Sequence, residues 1–459
     1  MGRFQRRILW AAGLCFAADS MEILLLSFLA VVLQAQWSLS REQTATITSS
    51  VFLGAMTGTL ILGPLGDVIG RRPVFSLTSG IIALFGLLTA AATNLPTVVA
   101  MRFLTGFGVG GLTVPFDTLS EFVPTSHRGF HLVILSVFWC FGTIVTPIFA
   151  YFTLGNGEQG VDTNAWRVFV IICALPCLIS TIVGLCFVPE SPRWLLTRGR
   201  REEALNILRR AATLNGKNPD EILPVGISLI DEEEHSANCC HLLSPEWLKT
   251  TIFMWITWAG FAFVYYGCIQ VTTLVFSSTG ENMTDLKETY TFDYGAIMAS
   301  GFSEMAGTIV IIFTVERVGR IPTQVVAYLI GGFMTLALSM LASKNSPRPA
   351  LIATAFLSRM AYSCATSMTW ISTAEILTTD IRTTGHSITN AIARLGGASS
   401  PFLINYGSAY PTIGGILLAV SVITALAAGM LPETKGLALG NVVHHEEPHL
   451  EDVKTSEII

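Results

Sequence analysis

The sequence predicts an all-α membrane protein with twelve transmembrane helices arranged as two parallel six-helix repeats. Three observations predict this fold class. The 459 residues are 51% hydrophobic and only 13% charged, a composition outside the range of soluble enzymes of this size. Twelve apolar runs are long enough to cross a bilayer, which takes about 20 residues. Finally, motifs of the first half of the chain recur in the second half.

The predicted spans are residues 8–33, 44–65, 74–94, 96–119, 130–152, 166–188, 250–278, 293–315, 323–343, 349–374, 385–408 and 411–431. A cleaved signal peptide is the rival interpretation of the first run, but Asp19, Glu22 and the apolar stretch to Leu33 favour a transmembrane helix. Lys and Arg concentrate in the loops that would be cytoplasmic if both termini were inside. We therefore expect a multi-pass protein of the plasma membrane or an intracellular vesicle membrane, with both termini cytoplasmic.

The two halves share motifs in the same order along the chain. GTLILGPLGDVIGRRP (58–73) aligns with GTIVIIFTVERVGRIP (307–322), and EFVPTSHRG (121–129) aligns with EILTTDIR (375–382). PES (189–191) pairs with PET (432–434) in the same way. Because six predicted helices, an even number, separate the two copies of each motif, both copies have the same orientation in the membrane.

These repeats predict the domain organisation. We expect an N-terminal six-helix bundle over 1–188, a cytoplasmic linker over 189–249 and a C-terminal six-helix bundle over 250–439. The linker should contain an amphipathic surface helix over 201–214. The tail from 440 to 459 has no apolar periodicity, and we expect it to be disordered in the cytoplasm.

Several function classes are excluded by the residues themselves. The sequence contains no GxxxxGK[ST] phosphate loop, which would indicate an ATP-driven pump, and no motif that would indicate an enzyme. There is no basic surface to indicate nucleic-acid binding. Cys239 and Cys240 lie beside His235 and His241, but adjacent cysteines lack the spacing of a structural zinc site. The sequence therefore predicts neither a metal nor a cofactor.

Three motifs identify the superfamily. GPLGDVIGRR (63–72), RFLTGFGVGG (102–111) and PESPRWL (189–195) resemble those of the major facilitator superfamily. AADSMEILLLSFLA (17–30) and ARLGGASSPF (393–402) are most similar to its synaptic-vesicle-two-related members, in the branch with nicotinate permeases and organic anion and cation transporters. Sugar porters share PESPR and PETKG but match these two stretches less well. The resemblance implies the major facilitator fold and a monomeric secondary transporter that works by alternating access.

Acids and arginines repeat at the predicted inner ends of the spans. Opposite charges there can pair and hold a gate shut, and the resemblance implies that such pairs open when the protein turns inward. Charges that only fix topology would explain the arginines but not the repeated acids. The candidate gating residues are Asp67, Arg71, Glu121, Arg128, Glu316, Arg320, Glu375 and Arg382.

Five further charges lie near the predicted midplane, where each costs at least about 2.5 kcal/mol by insertion scales. They are Asp19, Glu22, Glu304, Arg359 and Arg394. The resemblance implies that their helices surround a central cavity, so all five can face water. A charge at this depth is a functional candidate by default.

Arg394 is the strongest candidate for substrate binding, because its planar guanidinium suits a carboxylate held by two hydrogen bonds. Organic anion transporters that this chain resembles have an arginine in the matching ARxG position, which implies a small anionic substrate such as a nicotinate-like carboxylate. An ion pair between Arg394 and Glu304, without a ligand, is the alternative. The candidate substrate-binding residues are Arg394, Arg359, Glu304, Tyr266, Trp370 and Trp139.

Asp19 and Glu22 are three residues apart and share one helix face. With Arg102 they resemble the proton-coupling pair of other superfamily members, so we predict that these three residues couple transport to protons. The acids would also suit a cationic substrate. An organic cation or sugar transporter, a non-transporting vesicle-membrane receptor or scaffold, and a channel therefore remain alternatives.

Overall fold

The computed structural model describes residues 2–123, 128–155, 165–223, 242–281, 288–315, 317–377, 379–405 and 409–435, which are nearly all helical. The first half contains α1 (Arg3–Trp37), α2 (Arg41–Ile69), α3 (Arg71–Thr89), α4 (Leu95–Gly110), α5 (Thr113–Phe122), α6 (Arg128–Leu154) and α7 (Trp166–Phe187). Three short helices follow, α8 (Pro192–Thr197), α9 (Arg201–Leu214) and α10 (Pro219–Ile222). The predicted disordered tail and the Cys239–Cys240 pair lie outside the described residues.

The second half repeats the arrangement. It contains α11 (Leu248–Val275), β1 (Ser277–Glu281), β2 (Glu288–Phe292), α12 (Tyr294–Thr314), α13 (Arg320–Ser343), α14 (Arg348–Ile376), α15 (Thr379–Asn405) and α16 (Tyr410–Gly429). Since α4 and α5 together form one span, Leu95–Phe122, the described helices supply the twelve spans of the predicted fold. The fold class is confirmed.

Two of the spans are more polar than the others. Within the described residues, ten helices are long and apolar enough to cross a membrane, and α14 and α15 are not among them. Both are nevertheless long, at 29 and 27 residues, and they carry Arg359 and Arg394. They pack against α11, and α15 also packs against α2. Neighbouring helices therefore shield their polar side chains from lipid.

The outside of the bundle remains strongly apolar. Ile182, Phe313 and Leu426 each expose more than half of their surface. In water an exposed apolar surface of this extent would be unfavourable, whereas acyl chains solvate it well. This distribution is consistent with a bundle surrounded by lipid.

Glycines determine how closely α2 and α4 pack. A Cβ atom at Gly54 would lie 1.9 Å from the carbonyl oxygen of Phe103, and one at Gly58 would lie 2.0 Å from that of Phe107. Gly106 makes the reciprocal approach to a carbonyl oxygen of α2 at 2.0 Å. Small residues allow membrane helices to pack backbone against backbone. The glycines of RFLTGFGVGG are therefore explained by packing.

The structure differs from the sequence prediction at two places. The fourth span is interrupted at Gly111, where α4 ends and α5 begins two residues later. A β-hairpin follows the seventh span, with Ser277 paired to Phe292 in an antiparallel register. Thr, Tyr and Phe in ETYTF favour an extended strand, but the segment is too short to have been recognised beside the long apolar runs.

The two ends of the bundle differ in charge. We call the end at which α2 passes into α3 the charged end, because Asp67, Arg71 and Glu121 lie there. The helix α9 also packs near this end, where Asn215 accepts a hydrogen bond from the backbone N–H of Phe4 at 3.0 Å. The other end, which carries the β-hairpin, is called the opposite end.

Candidate functional site

A buried ion pair lies in the first half. The guanidinium of Arg102 in α4 donates through Nη1 to Oε2 of Glu22 in α1 at 2.6 Å. Its Nε donates to the hydroxyl of Thr89 in α3 at 3.1 Å. The Arg102 and Glu22 side chains are 0% and 1% exposed. The pair therefore joins three helices of one half and is sealed from solvent.

The second half contains a comparable pair. Arg359 in α14 donates through Nη2 to Oε1 of Glu304 in α12 at 2.6 Å, and both side chains are 1% exposed. Nη1 of Arg359 donates to Ser300 at 3.1 Å. The hydroxyl of Thr143 in α6, which belongs to the first half, donates to Oε2 of Glu304 at 3.3 Å. This pair thus lies at the interface between the halves.

Arg394 is not part of either pair. Glu304, its alternative partner from the sequence, binds Arg359 instead. Nη1 of Arg394 donates to the hydroxyl of Tyr266 in α11 at 3.3 Å, and its Nε has no hydrogen-bond partner among the described residues. The Arg394 residue as a whole is 7% exposed. Arg394 is therefore available for a ligand.

Three of the central charges lie at a similar depth in the bundle. Glu304, Arg359 and Arg394 each lie ten or eleven residues from the end of their helix at the opposite end. At a rise of about 1.5 Å per residue this is about 15 to 17 Å, close to half the hydrocarbon thickness of about 30 Å. The three charges thus lie near the middle of the bundle.

Asp19 has a different environment from Glu22, although both are in α1. Asp19 is 4% exposed, and its Oδ1 has no hydrogen-bond partner among the residues described. It does not share the Arg102 contact, but the charges of Arg394 and Glu22 both act on it. The two acids that were grouped by spacing therefore have separate surroundings.

The glycines after Arg394 bring α15 close to the centre. A Cβ atom at Gly396 would lie 2.0 Å from the carbonyl oxygen of Ala259 in α11. One at Gly397 would lie 2.7 Å from the ring of Phe52 in α2 and 3.1 Å from that of Tyr266. The motif ARLGG therefore places an arginine at the centre and removes the side chains that would separate its helix from α11 and α2.

The candidate aromatic residues occupy two places. The indole of Trp139 in α6 donates to the hydroxyl of Tyr265 in α11 at 3.1 Å, across the interface between the halves. Trp370 lies about 16 Å along α14 from Arg359, toward the charged end. Its ring centroid is 5.0 Å from that of Trp258. Trp139 is therefore close to the central charges, whereas Trp370 belongs to a separate aromatic cluster.

The halves contact each other closely toward the opposite end. The ring centroid of Phe28 in α1 is 4.9 Å from that of Phe292 in β2. The hydroxyl of Ser49 in α2 donates to the carbonyl oxygen of Ala398 in α15 at 2.6 Å. Both contacts join one half to the other on the same side of Arg394. They hold the two halves together between the central charges and the opposite end.

At the charged end, Arg71 contacts two acids of its own half. Its Nη2 is 2.7 Å from Oδ1 of Asp67, and its Nε is 3.4 Å from Oε1 of Glu121. Asp117 of α5 also acts on Arg71 electrostatically. The sequence analysis did not select Asp117, because it has no acidic counterpart in the second half.

The second half has the matching arrangement. Nε and Nη2 of Arg320 donate to the two carboxylate oxygens of Glu375 at 3.0 and 3.2 Å, and Thr434 also donates to Glu375. Of the remaining gating candidates, Glu316 and the side chains of Arg128 and Arg382 lie outside the described part of the chain. The described pairs thus stabilise each half at this end.

The PES and PET repeats have a structural role that the sequence did not reveal. Glu190 accepts from the backbone N–H of Arg71 at 2.8 Å, and Glu433 accepts from those of Arg320 and Ile321 at 2.9 and 3.0 Å. Each glutamate therefore caps the N-terminus of α3 or α13 from a distant part of the chain. Repetition was the available signal, but it did not indicate which backbone groups were contacted.

The preceding glycines leave room for these caps. Gly70 and Gly319 have φ values of 107° and 112°, in the region that favours glycine. A Cβ atom at Gly70 would lie 2.4 Å from the carboxylate of Glu190, and one at Gly319 would lie 2.8 Å from that of Glu433. The repeated Gly-Arg pair is thus required both for the turn and for the cap.

We expect Glu433→Gln to lower stability by about 1 kcal/mol, a typical cost of a weakened N-cap. Burial raises the pKa of Glu433, but hydrogen bonds from four backbone N–H groups outweigh it and the pKa is lowered overall. The contribution of the Glu433 charge to the free energy of unfolding should be complete above the unfolded-state pKa of about 4.3. It should decrease as the pH falls through the lower folded-state pKa. Thermal unfolding in detergent, measured against pH, checks both expectations.

Glu203→Gln is a suitable control, because Glu203 is an exposed partner of Arg200 in the linker. The unfolding midpoint of this variant should match that of the wild type. A difference between wild type and Glu433→Gln that persists unchanged at pH 3 would show that the carboxylate charge is not what stabilises α13.

Comparison with known proteins shows the family to which this chain belongs. The "Sugar (and other) transporter" family model matches residues 21–443. Similar proteins include the "Synaptic vesicle 2-related protein" of Xenopus laevis, which is 30% identical over 97% of this chain and 81% of its own length. The "Organic cation/carnitine transporter 7" of Arabidopsis thaliana is 28% identical over 95% of this chain and 93% of its own.

Solved structures of similar fold include the xylose transporter XylE from E. coli. Its partially occluded inward-open conformation matches with a TM-score of 0.73 and 20% identity, over 95% of this chain and 100% of that one. The proton:xylose symporter XylE bound to 6-bromo-6-deoxy-D-glucose matches with a TM-score of 0.70 and 19% identity, over 96% of this chain and 98% of that one. At this identity the likeness shows the fold alone.

Proposed function

The chain belongs to the sugar (and other) transporter family of the major facilitator superfamily, and from this premise we propose that it carries a small organic anion across the membrane by alternating access. The observation that supports the proposal most directly is the central arginine. Arg394 is buried at mid-depth, makes one long hydrogen bond to Tyr266 and keeps 7% of its surface exposed. A carboxylate would satisfy its remaining donors.

The proposed substrate site contains fewer residues than the set predicted from the sequence. Arg394 and Tyr266 would contact the carboxylate, and Trp139 lies beside the neighbouring Tyr265. Arg359 and Glu304 bind each other, so in this conformation they would support the site and not contact the substrate. Aromatic or aliphatic carboxylates of nicotinate-like size fit these requirements.

We place proton coupling at Glu22 and Arg102. Their direct contact at 2.6 Å means that a proton on Glu22 would release Arg102, and such a release can change how α1 packs on α4. Oε1 of Glu22 has no hydrogen-bond partner among the described residues, so it can accept a proton before the ion pair breaks. Asp19 has no contact with Arg102, which makes it a weaker candidate for this role.

The conformational cycle follows from the contacts between the halves. Phe28 and Phe292 hold the two halves together at the opposite end, so we infer that in this state the substrate enters or leaves through the charged end. The concentration of Lys and Arg in the loops at that end supports a cytoplasmic location for it and for both termini. Rocking of one half against the other would then expose the site to the other side.

We expect Asp67→Asn to change the rate of the cycle while equilibrium affinity stays within about twofold of the wild type. Asp67 binds Arg71 at 2.7 Å and lies about 22 Å along α2 from Phe52, at a rise of about 1.5 Å per residue. A change so far from Arg394 should affect the gate and not recognition. Counterflow rates in liposomes and equilibrium binding in detergent measure the two properties separately.

Glu42→Gln gives a matched control, since Glu42 is an exposed acid in the first turn of the same helix at the opposite end. It should leave both rate and affinity unchanged. If Asp67→Asn instead loses affinity while its counterflow rate is normal, the gating role is wrong.

Uptake by the purified protein in liposomes tests the proposed function. The panel would contain labelled nicotinate, benzoate, a quaternary ammonium ion and xylose, with empty liposomes as the blank. Saturable uptake of a carboxylate, and not of xylose, is the expected result. Saturable uptake of the cation alone would favour an organic cation carrier, the second candidate, which the buried acid Asp19 supports.

Uptake of none of these compounds, by a protein that is folded in detergent, would favour the receptor or scaffold alternative.

We propose that the protein acts as a monomer in the plasma membrane or a vesicle membrane, because the predicted site lies within one chain. Chemical cross-linking at low protein-to-lipid ratio checks the oligomeric state.

A further inference from the structure

Two arginines from different helices reach the last turn of α7 at the charged end. Arg7 belongs to α1, and Arg72 is the second residue of α3. The guanidinium carbon of Arg7 lies 5.5 Å from the centre of the Phe187 ring. Nη2 of Arg72 donates to the carbonyl oxygen of Leu185 at 2.9 Å. We call Arg7 and Arg72 the arginine pair.

The arginine pair has no acidic partner among the described residues. Arg71, which precedes Arg72 in the chain, binds both Asp67 and Glu121. In contrast, neither Arg7 nor Arg72 takes part in an ion pair within the described part of the chain. Both side chains are exposed. Their charges are therefore available to a ligand.

The acid that follows α7 has another role. Glu190 accepts from the backbone N–H groups of Arg71 and Arg72 at 2.8 and 3.1 Å. Its carboxylate thus caps the N-terminus of α3, as described above. A single hydrogen bond from Arg72 to the end of α7 leaves most of the five donors of its guanidinium unused.

Helix stability does not explain the arginines of α1. Arg3, Arg6 and Arg7 are all exposed in the first turns of this helix, where there is no acid. The N-terminus of a helix carries a partial positive charge and favours anions. Membrane topology requires positive charge on the cytoplasmic side, but it does not require two guanidinium groups to be held at one turn of α7. An anionic ligand would explain both features.

The surface beside the arginine pair is apolar and faces lipid. Ile182, Leu185 and Phe187 of α7 each expose more than half of their surface. Trp10 is 58% exposed and lies about 4.5 Å along α1 from Arg7, at a rise of about 1.5 Å per residue. Exposed Trp residues of membrane proteins concentrate at the level of the lipid headgroups. The arginine pair is therefore at headgroup depth, with an acyl-chain surface next to it.

We propose that the arginine pair binds the phosphate of an anionic phospholipid, whose acyl chains lie along Ile182 and Leu185. Phosphate oxygens accept charge-assisted hydrogen bonds from two guanidinium groups, and clusters of basic residues beside a membrane span attract anionic lipids. A soluble phosphate compound would use the arginines but not the apolar surface. The site is separate from Arg394 and does not depend on the transported substrate.

The bound lipid would join three helices of the first half. Its headgroup would contact α1 and α3, and its chains would contact α7. A ligand that binds only the folded protein stabilises it. We therefore expect the anionic lipid to raise the thermal unfolding midpoint of the purified protein more than a neutral lipid does.

Three probes test the proposal by native mass spectrometry of the full chain in detergent. They are dioleoylphosphatidylglycerol, dioleoylphosphatidylcholine, whose choline cancels the phosphate charge, and glycerophosphoglycerol, which is the first headgroup without its chains. Two arginines at the headgroup should make the wild type bind phosphatidylglycerol at least about tenfold more tightly than phosphatidylcholine. Glycerophosphoglycerol should show no saturable binding in the same concentration range.

Arg7→Gln and Arg72→Gln should each reduce this preference several-fold, and the double variant should bind the two lipids equally. Replacing both arginines with Lys should keep most of the preference, because the charges remain. Arg210→Gln is the matched control, since Arg210 is an exposed arginine of α9 near the same end. It should leave the preference unchanged. Unchanged affinity for phosphatidylcholine shows that each variant is folded.

Four results would overturn the proposal. The wild type could bind both lipids equally, or the double Gln variant could keep the full preference. A loss in Arg210→Gln as large as that in Arg7→Gln would show a diffuse effect of the basic surface instead of a site. Saturable binding of glycerophosphoglycerol as tight as that of the lipid, and dependent on Arg7 and Arg72, would show a site for soluble phosphate compounds.

Discussion

Arg394→Ala is expected to abolish saturable uptake of carboxylates, with a loss of at least about a hundredfold in binding affinity. A charge-assisted bidentate contact between Arg and a carboxylate contributes more than a neutral hydrogen bond, and removing it would leave the substrate carboxylate unpaired in a buried site. Protein folding should be retained, because within the described part of the chain Arg394 makes a single side-chain hydrogen bond, to Tyr266 at 3.3 Å. Equilibrium binding of a labelled carboxylate, with thermal unfolding of the same sample, is the measurement.

Arg394→Lys should bind the same substrate with intermediate affinity, since the charge is kept but the planar fork of donors is lost. The control is Arg348→Ala, because Arg348 is 62% exposed and binds Asp293 near the opposite end. It should transport normally. Arg359→Ala is unsuitable as a control, because it would leave Glu304 buried without its partner. Equal binding by the wild type and Arg394→Ala would remove the basis of the proposed function.

The spans of this protein were predictable because the bilayer imposes a simple requirement on sequence. Each helix needs about 20 mostly apolar residues, and this rule also locates α14 and α15 although their arginines make them more polar. The interruption of the fourth span at Gly111 was not predictable. Glycines in RFLTGFGVGG serve close packing with α2, and a sequence does not distinguish that role from a break.

The pairing of the central charges was predictable only in part. The depth of Arg394 in its span follows from counting residues, and its possible partners then depend on which helices face each other. Glu304 was considered as its partner, but α12 presents Glu304 to Arg359 in α14 at 2.6 Å. Similarly, spacing correctly placed Asp19 and Glu22 near one another on α1 but could not show that only Glu22 contacts Arg102.

The contacts of PES and PET were beyond the sequence for a different reason. Glu190 is separated from Arg71 by 119 positions, and Glu433 from Arg320 by 113. Each glutamate binds backbone N–H groups, so the side chains of the contacted residues can vary. Only the glycine before each helix is constrained, because it makes room for the carboxylate. The repeat therefore indicated an important position without indicating its partner.

We expect Glu22→Gln to abolish the dependence of uptake on a proton gradient. In the wild type, inward uptake should rise several-fold when the outside is made acidic, because protonation of Glu22 releases Arg102 and changes how α1 packs on α4 while substrate is bound. The amide resembles a permanently protonated acid and cannot take up or release the proton. Uptake into liposomes with and without an imposed pH gradient, compared with exchange at equal pH, measures the effect.

Two comparisons make the result specific to Glu22. Exchange of substrate at equal pH should continue in Glu22→Gln, since this variant keeps a hydrogen-bond acceptor for Arg102 and Thr89 still accepts from Nε. Asp19→Asn should retain the response to the gradient, because Asp19 does not contact Arg102, which binds Glu22. If wild-type uptake ignores the gradient, transport is not proton-coupled. If it responds and Glu22→Gln responds equally, the proton is carried elsewhere, and Glu304 is the next residue to replace, because its carboxylate is the other one that is sealed against an arginine at mid-depth.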